Sequence, residues 1–396
     1  MQINVKLTSK IKRSIDDILI CWFMKLFLLV RYAPKDDAKH RSGWRELYTE
    51  EECRDIKDLI ESCKKNQVTF FYGISPGLDI KYSDQTERNL LKCKVEQIHK
   101  LGCQGFAILW DDIEPELSDE DAKHFKSFSE AHCIVSNEIY SLLEKPQFLF
   151  CPVEYCSNRA LPNVRDSEYL QTLGQLLEPG IQVFWTGSKV VSETITAREC
   201  QVLAEVIKRK PIIWDNLHAN DYDHQRLFLG PYLGRDHSPR PSDYLAGAMT
   251  NPNCEYTLNV PAMVTLAEWA NNKDWDVTGK VAHQTAVKEL LGEMSVGSYE
   301  DGRQVEVKVE PENVMREADV DLLIQMFWLP HSHGPRILEL LENFKFCRDN
   351  AVVIRGWKKF DIGELELLLT IHIHHYISPR RSTRASRQMD GESNRH

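Results

Sequence analysis

The chain has 396 residues, 42% of them hydrophobic, nine tryptophans and a formal net charge of -10. That is enough apolar material for one large core and a smaller unit beside it. The acidic balance excludes a nucleic-acid surface spread along the chain, because phosphate recognition needs a basic stripe or domain.

Taken in chain order, the ends come first. The basic runs Lys6 to Arg13 and Arg380 to Arg387 read as solvated tails. The apolar stretch "ILICWFMKLFLLV" is interrupted by Lys25 and runs into "RYAPKDD" with no small-residue cleavage site. It is too short to span a bilayer and reads as a helix end followed by a buried strand. Eleven cysteines without a CxxC pair or a regular framework read as reduced thiols, not as a zinc site.

From about residue 26 to 253, short β-rich apolar runs alternate with polar, helix-compatible text. The predicted strands are "LFLLVRYA" (26–33), "TFFYGIS" (69–75), "GFAILWD" (105–111), "QFLFCPVEY" (147–155), "IQVFWTG" (181–187), "PIIWDN" (211–216) and "AGAMTN" (246–251). They are apolar nearly throughout, as strands buried on both faces must be. Repeated β-α units imply a parallel sheet, either doubly wound or closed as a (β/α)8 barrel. Six of the seven runs end in polar text such as "APKDD", "DDIEPE" and "DNLHAND". That distribution favours a barrel, which gathers its functional residues from many strand ends. Neither GxGxxG nor GxxxxGK[ST] occurs, so the usual phosphate-cradling loops are absent.

The expected fold class is therefore α/β, a (β/α)8 TIM barrel over residues 1–272. Residues 273–316 read as an acidic linker. A short α-helical segment is expected over 317–365, with "PHSHGP" joining two helices. Residues 366–396 are apolar-poor and read as a disordered tail.

Chemistry concentrates at two strand ends. "GFAILWDDIEPEL" places Asp111 and Asp112 side by side. Successive strand side chains point to opposite faces, so both cannot face the barrel axis unless one leaves the regular strand. Two adjacent carboxylates in different surroundings have their pKa values driven apart, which acid/base work on a glycoside requires. Two other readings stay open: a polar loop start, and a hard-cation site built from Asp111, Asp112, Glu114, Glu116 and Asp119. The second strand end, "WDNLHANDYD", offers an aromatic face followed by donors and acceptors, as a sugar site needs, and it also suits a plain polar loop. Together the strand ends bring Lys35, Tyr155, Asn216, Asp221 and Asn251 to one mouth. His218 reads as a hydrogen-bonded loop histidine, and Cys151 and Cys156 as packing residues.

These motifs are similar to a known family. "RYAPKDDAKHR", "ISPGLDI", "FAILWDDIE", "FCPVEYC", "WTGSKVVS", "IIWDNLHANDYDHQRLFLGPYLGR" and "TNPNCE" occur in order between residues 31 and 255. They resemble the catalytic domain of the eukaryotic protein O-GlcNAcase family, glycoside hydrolases that remove N-acetylglucosamine from serine and threonine of nuclear and cytosolic proteins. "DVDLLIQMFWLPHSHGPRILELLENFKFCRDN" resembles the start of that family's helical stalk. The resemblance implies a retaining, substrate-assisted mechanism in which the sugar's 2-acetamido oxygen attacks the anomeric carbon. It implies that Asp111 polarises the acetamido N–H and that Asp112 is the acid/base. It implies that Tyr155 and Trp214 enclose the acetamido group, that Lys35, Asp221 and Asn251 bond sugar hydroxyls, and that Asn216 sits beside the reacting centre. No metal and no cofactor follow from it. The implied partners are O-GlcNAc-modified proteins, without nucleic acid or membrane, and the implied location is cytoplasmic and nuclear.

The chain also departs from the family. The glycine-bearing motif that ends the family's first strand is missing upstream of Lys35, so the barrel is one strand short unless "MQINVKLT" fills the place. The stalk is truncated, which weakens the case for the family's homodimer. A catalytically impaired sugar- or glycoprotein-binding relative is the alternative function.

Overall fold

A computed structural model describes residues 2–4, 29–33, 37–113, 116–223, 225–276, 278–295, 299–300, 303–304 and 315–349. Lys35, Glu114, the two basic terminal runs and the tail 366–396 lie outside the described residues.

The strands are β1 (Gln2–Asn4), β2 (Leu29–Tyr32), β3 (Thr69–Ile74), β4 (Gly105–Leu109), β5 (Gln147–Cys151), β6 (Ile181–Trp185), β7 (Ile212–Asp215) and β8 (Gly247–Thr250). Each pairs in parallel with the next, so β2 to β8 form one curled α/β sheet. The three-residue β1 lies parallel to both β2 and β8 and closes the order. It stands where "MQINVKLT" was expected to supply a strand. β5 is shorter than the run 147–155, because Pro152 has no N–H to continue the ladder.

Side-chain alternation sorts the strands into two layers. Phe71, Ala107, Leu109, Leu149, Cys151, Phe184, Ile212 and Met249 pack together inside the curl. Their neighbours, including Phe70, Tyr72, Phe106, Ile108, Phe150, Val183 and Ile213, join the larger layer beneath the helices. Gly105 pairs in register with Phe71, and a Cβ there would lie 2.7 Å from the Phe71 ring. The missing side chain makes room for the phenyl group that fills the interior.

The helices between strands carry legible caps. Thr49 caps α1 (Glu50–Lys65) in a reciprocal capping box with Glu52, and Ile56, Ile60 and Cys63 form its buried stripe. α2 (Gln85–Lys100), α3 (Phe128–Leu142), α4 (Glu168–Leu176), α5 (Ala197–Ile207), the one-turn α6 (Pro241–Tyr244) and α7 (Val260–Asn271) follow in order.

The region expected as a linker, 273–316, contains a further helix, α8 (Lys280–Ser295). Its Ala286, Val287 and Leu290 are buried with Val260 and Val264 of α7 and with Val320, Ile324 and Trp328 of the next helical segment. That segment comprises α9 (Glu317–Met326) and α10 (Pro335–Asp349), two helices joined by a tight connection as "PHSHGP" suggested. It is docked on the last barrel helix through α8. No helix among the described residues is long and apolar enough to cross a membrane.

Closure through β1 has a direct test. A variant lacking residues 1–4 leaves the edges of β2 and β8 unpaired, and unpaired edges lower stability and invite edge-to-edge association. Its thermal midpoint is expected to fall and its sedimentation to become concentration-dependent relative to the full chain. Identical melting and sedimentation would refute the closure.

Candidate active site

Parity through β4 sets the first carboxylate. Ala107 and Leu109 point into the curl, so Asp111, two residues on, continues the inward set. It is half-buried and adds its charge to the field felt by the Tyr155 phenol. Beneath it, Trp110 is fully buried, with Nε1 donating to Ser136 Oγ and the indole stacked 4.2 Å from the His132 ring.

Asp112 leaves the strand by a backbone turn: its φ of 53° is in the left-handed region. That conformation is uncommon for a residue with a Cβ, and Asp and Asn tolerate it best. The turn carries the carboxylate to the β5 loop, where Oδ1 accepts from Tyr155 Oη and Arg159 Nη2, both at 3.0 Å. The Arg159 guanidinium also lies 4.6 Å from the Tyr155 ring centre. Burial pushes the Tyr155 phenol up, and the Asp112 charge adds to the shift, so Tyr155 stays a neutral donor.

β7 shows the same alternation with a different consequence. Trp214 packs inward against Phe184 at 5.4 Å, edge to face, while Asp215 points the other way into the closed layer. There the carboxylate is met by Arg235, with Nε to Oδ2 and Nη2 to Oδ1 both at 2.7 Å, by Tyr232 Oη at 2.6 Å and by the Leu217 N–H at 3.0 Å. Burial alone would raise the Asp215 carboxyl, but the Arg235 charge and these bonds outweigh it and hold it below the usual carboxylate range. On the mouth side, Asn216 donates to the Val190 carbonyl at 2.8 Å and accepts from Asn251 at 3.2 Å. The Asn251 N–H donates to the Asp215 carbonyl at 2.8 Å, so β7 and β8 deliver Asn216 and Asn251 as one unit.

The predicted site residues divide accordingly. Asp111, Asp112 and Tyr155 come together, and Trp214, Asn216 and Asn251 occupy the adjoining strand ends. Asp221 lies half-buried farther along the β7 loop. Lys35 is outside the described residues, but the chain just after it is fastened: Asp37 Oδ2 accepts from Tyr48 Oη at 2.6 Å and from Tyr32 Oη at 3.2 Å. Lys94 Nζ lies 3.6 Å from the Tyr48 ring centre and donates to the Glu46 carbonyl; burial lowers its pKa to about 8. Among the described residues, no cluster of three or more His, Cys, Asp or Glu is placed to hold a metal ion.

His218 is fully buried, with Nε2 paired to the Gly230 carbonyl at 2.8 Å, and Gly230 in turn donates its N–H to the Trp328 carbonyl at 2.7 Å. The helical segment is thereby tied to the β7 loop. Cys151 and Cys156 are buried in the inner cluster as packing residues. Two residues of consequence lie outside the sequence expectation, and the first carries no signal in the spacing. Arg159 lies 47 residues from its partner Asp112. Asp215 could have been suspected, since alternation from an inward Trp214 forces a charge beneath the helices, where a partner is obligatory.

The family model for beta-N-acetylglucosaminidase matches residues 27–301. The chain belongs to the beta-N-acetylglucosaminidase family. It is 43% identical over 320 residues to the protein O-GlcNAcase of Mus musculus and 42% identical over 320 residues to that of Rattus norvegicus, in each case over 80% of this chain and 34% of the relative. The chain thus spans about a third of the length of the curated relatives it matches. A mutant of the O-GlcNAc hydrolase from Thermobaculum terrenum superposes with a TM-score of 0.67 at 30% identity, covering 74% of this chain and 63% of that one. For a beta-N-acetylglucosaminidase family member, then, the matched region includes every described site residue.

Two predictions follow from the buried groups. Asp215→Asn breaks the pair with Arg235 and leaves a buried guanidinium uncompensated, at a cost of about 3–5 kcal/mol. Denaturant unfolding should show that loss, and a change under about 1 kcal/mol would contradict the assigned role. His132 and His218 are both held neutral by burial, His132 well below the usual imidazole value and His218 at about 4. Acidification below about 6.5 therefore protonates the unfolded chain first, so stability full above that value is lost as pH falls, by about 1.4 kcal/mol per unit per histidine. His218→Gln, which can still donate to Gly230, should flatten the pH dependence of the unfolding free energy between pH 7 and 5; an unchanged slope would refute the contribution of His218.

Proposed function

We propose that the chain is a retaining glycoside hydrolase that removes O-linked N-acetylglucosamine from serine and threonine of proteins. The observation that carries this reading is the divergence of two adjacent carboxylates: Asp111 continues the inward set of β4, and Asp112 is turned by its left-handed backbone toward Tyr155 and Arg159. Such a pair suits a mechanism in which one carboxylate stays an acceptor and the other cycles a proton.

In the proposed sequence the sugar's 2-acetamido oxygen attacks the anomeric carbon while Asp111 accepts the acetamido N–H. Asp112 protonates the departing oxygen and then takes a proton from the incoming water. Its Oδ1 already accepts two hydrogen bonds, so Oδ2 is the oxygen that carries the proton. Tyr155 and Trp214 enclose the acetamido group, Asn216 stands beside the reacting centre, and Lys35, Asp221 and Asn251 bond the sugar hydroxyls. The barrel domain spans 1–272, extended by the docked helices.

The proposed partners are O-GlcNAc-modified proteins, and the proposed setting is the cytoplasm and nucleus. The buried cysteines Cys103, Cys133, Cys156 and Cys200 are thiols, which accords with a reducing compartment.

Hydrolysis of an aryl N-acetylglucosaminide is the test. Asp112→Asn should reduce kcat/KM by about 10²–10⁴-fold, more for poor leaving groups than for good ones. Asp111→Asn should cost about 10²–10³-fold whatever the leaving group. Undiminished turnover in both variants would refute the assignment. One observation favours a binding relative instead: the strand closing the barrel is only three residues long. Calorimetric binding of a thiazoline-type mimic without any turnover by the unmodified chain would establish that reading.

A further inference from the structure

Arg159 touches no atom of the sugar in the chemistry proposed above, yet it sits against the proposed acid/base. Its Nη2 reaches Asp112 Oδ1 at 3.0 Å, with side-chain exposures of 39% for Arg159 and 55% for Asp112. Among the described residues, its Nε and Nη1 donate to no acceptor. The side chain is held, not floating: its guanidinium packs 4.6 Å from the centre of the buried Tyr155 ring.

The backbone beneath it is held as well. Ser157 and Asn158 donate their N–H groups to the carbonyls of Gly187 and Ser188 at 3.0 Å, and Arg159 donates its own to Cys156 at 3.0 Å. The β5 loop is thereby stitched to the β6 loop. The next residue there is Lys189, an exposed cation. The neighbouring β4 loop exposes the acidic Glu116, Asp119 and Glu120 and, farther along, the basic Lys123 and Lys126.

We propose that Arg159 is a specificity-determining residue that favours glycosylated polypeptides with an acidic side chain next to the sugar-bearing serine or threonine. The departing oxygen must come within hydrogen-bonding reach of Asp112, so residues flanking it pass beside the guanidinium. A guanidinium offers a planar fork suited to a second carboxylate, and only one of its nitrogens is committed here. This inference rests on the glycosidase reading.

Two glycopeptides, identical except for aspartate or asparagine beside the sugar-bearing serine, are compared by kcat/KM and by calorimetric affinity, with an aryl N-acetylglucosaminide as a substrate that lacks a peptide. A half-exposed ion pair corresponds to a preference of about two- to fivefold for the acidic peptide. Arg159→Met should bring that ratio close to one, and Arg159→Lys should retain part of it. An aspartate-to-asparagine ratio that is the same in the unmodified chain and in Arg159→Met overturns the inference, while aryl turnover leaves the glycosidase reading standing. Absence of aryl turnover overturns the glycosidase reading, and the affinity ratio then still decides for or against Arg159.

Discussion

The two-residue period of a β-strand is the constraint from which this site follows. In a barrel each strand is buried on both faces, so every residue at a strand end is committed to the mouth or to the layer under the helices. At β4 this commitment sends Asp111 inward after Ala107 and Leu109. At β7 it sends Trp214 and Asn216 toward the mouth and Asp215 into the dry layer. The second outcome is costly: an ionised carboxylate cannot be buried alone. Arg235, Tyr232 and the Leu217 amide meet it with four hydrogen bonds. The charge pair is thus a consequence of placing Trp214 and Asn216 correctly, and it locks the strand end in register.

Around that frame the loops are fastened by polar contacts, not by regular structure. The segment following Lys35 hangs on Asp37 and the hydroxyls of Tyr32 and Tyr48, with Lys94 seated over the Tyr48 ring. The β5 loop hangs on the β6 loop, and the β7 loop hangs on His218, Gly230 and the carbonyl of Trp328. Since Trp328 belongs to the helical segment docked through α8, that segment is part of what shapes the mouth.

Much of this was legible in the residues. Strands apolar on both faces announce a parallel sheet, and their polar ends announce a barrel mouth. The adjacency of Asp111 and Asp112 already required that one depart from the strand. What the chain could not disclose is how: a positive φ at Asp112 depends on surrounding loops, not on local propensity. Pairings across long separations, such as Arg159 with Asp112 or Arg235 with Asp215, leave no mark in spacing. α8 leaves a weak mark because two of its four buried positions are only alanine, Ala282 and Ala286, in an otherwise polar and acidic region. Trp214 showed its aromatic character plainly, but Asp215 beside it passed for loop text.

The backbone at position 112 narrows what this site can become. A left-handed φ of 53° is most readily adopted by glycine, asparagine and aspartate, although Gln67, Glu144, Lys145 and Lys208 hold φ of 57–59° elsewhere in the chain. Glutamate, the usual alternative wherever a carboxylic acid must move a proton, would place its acid one methylene farther out than the carboxylate that meets Tyr155 and Arg159. A step to asparagine at position 112 therefore keeps the main chain and the side-chain length while removing the charge, whereas a step to glutamate keeps the charge and moves it.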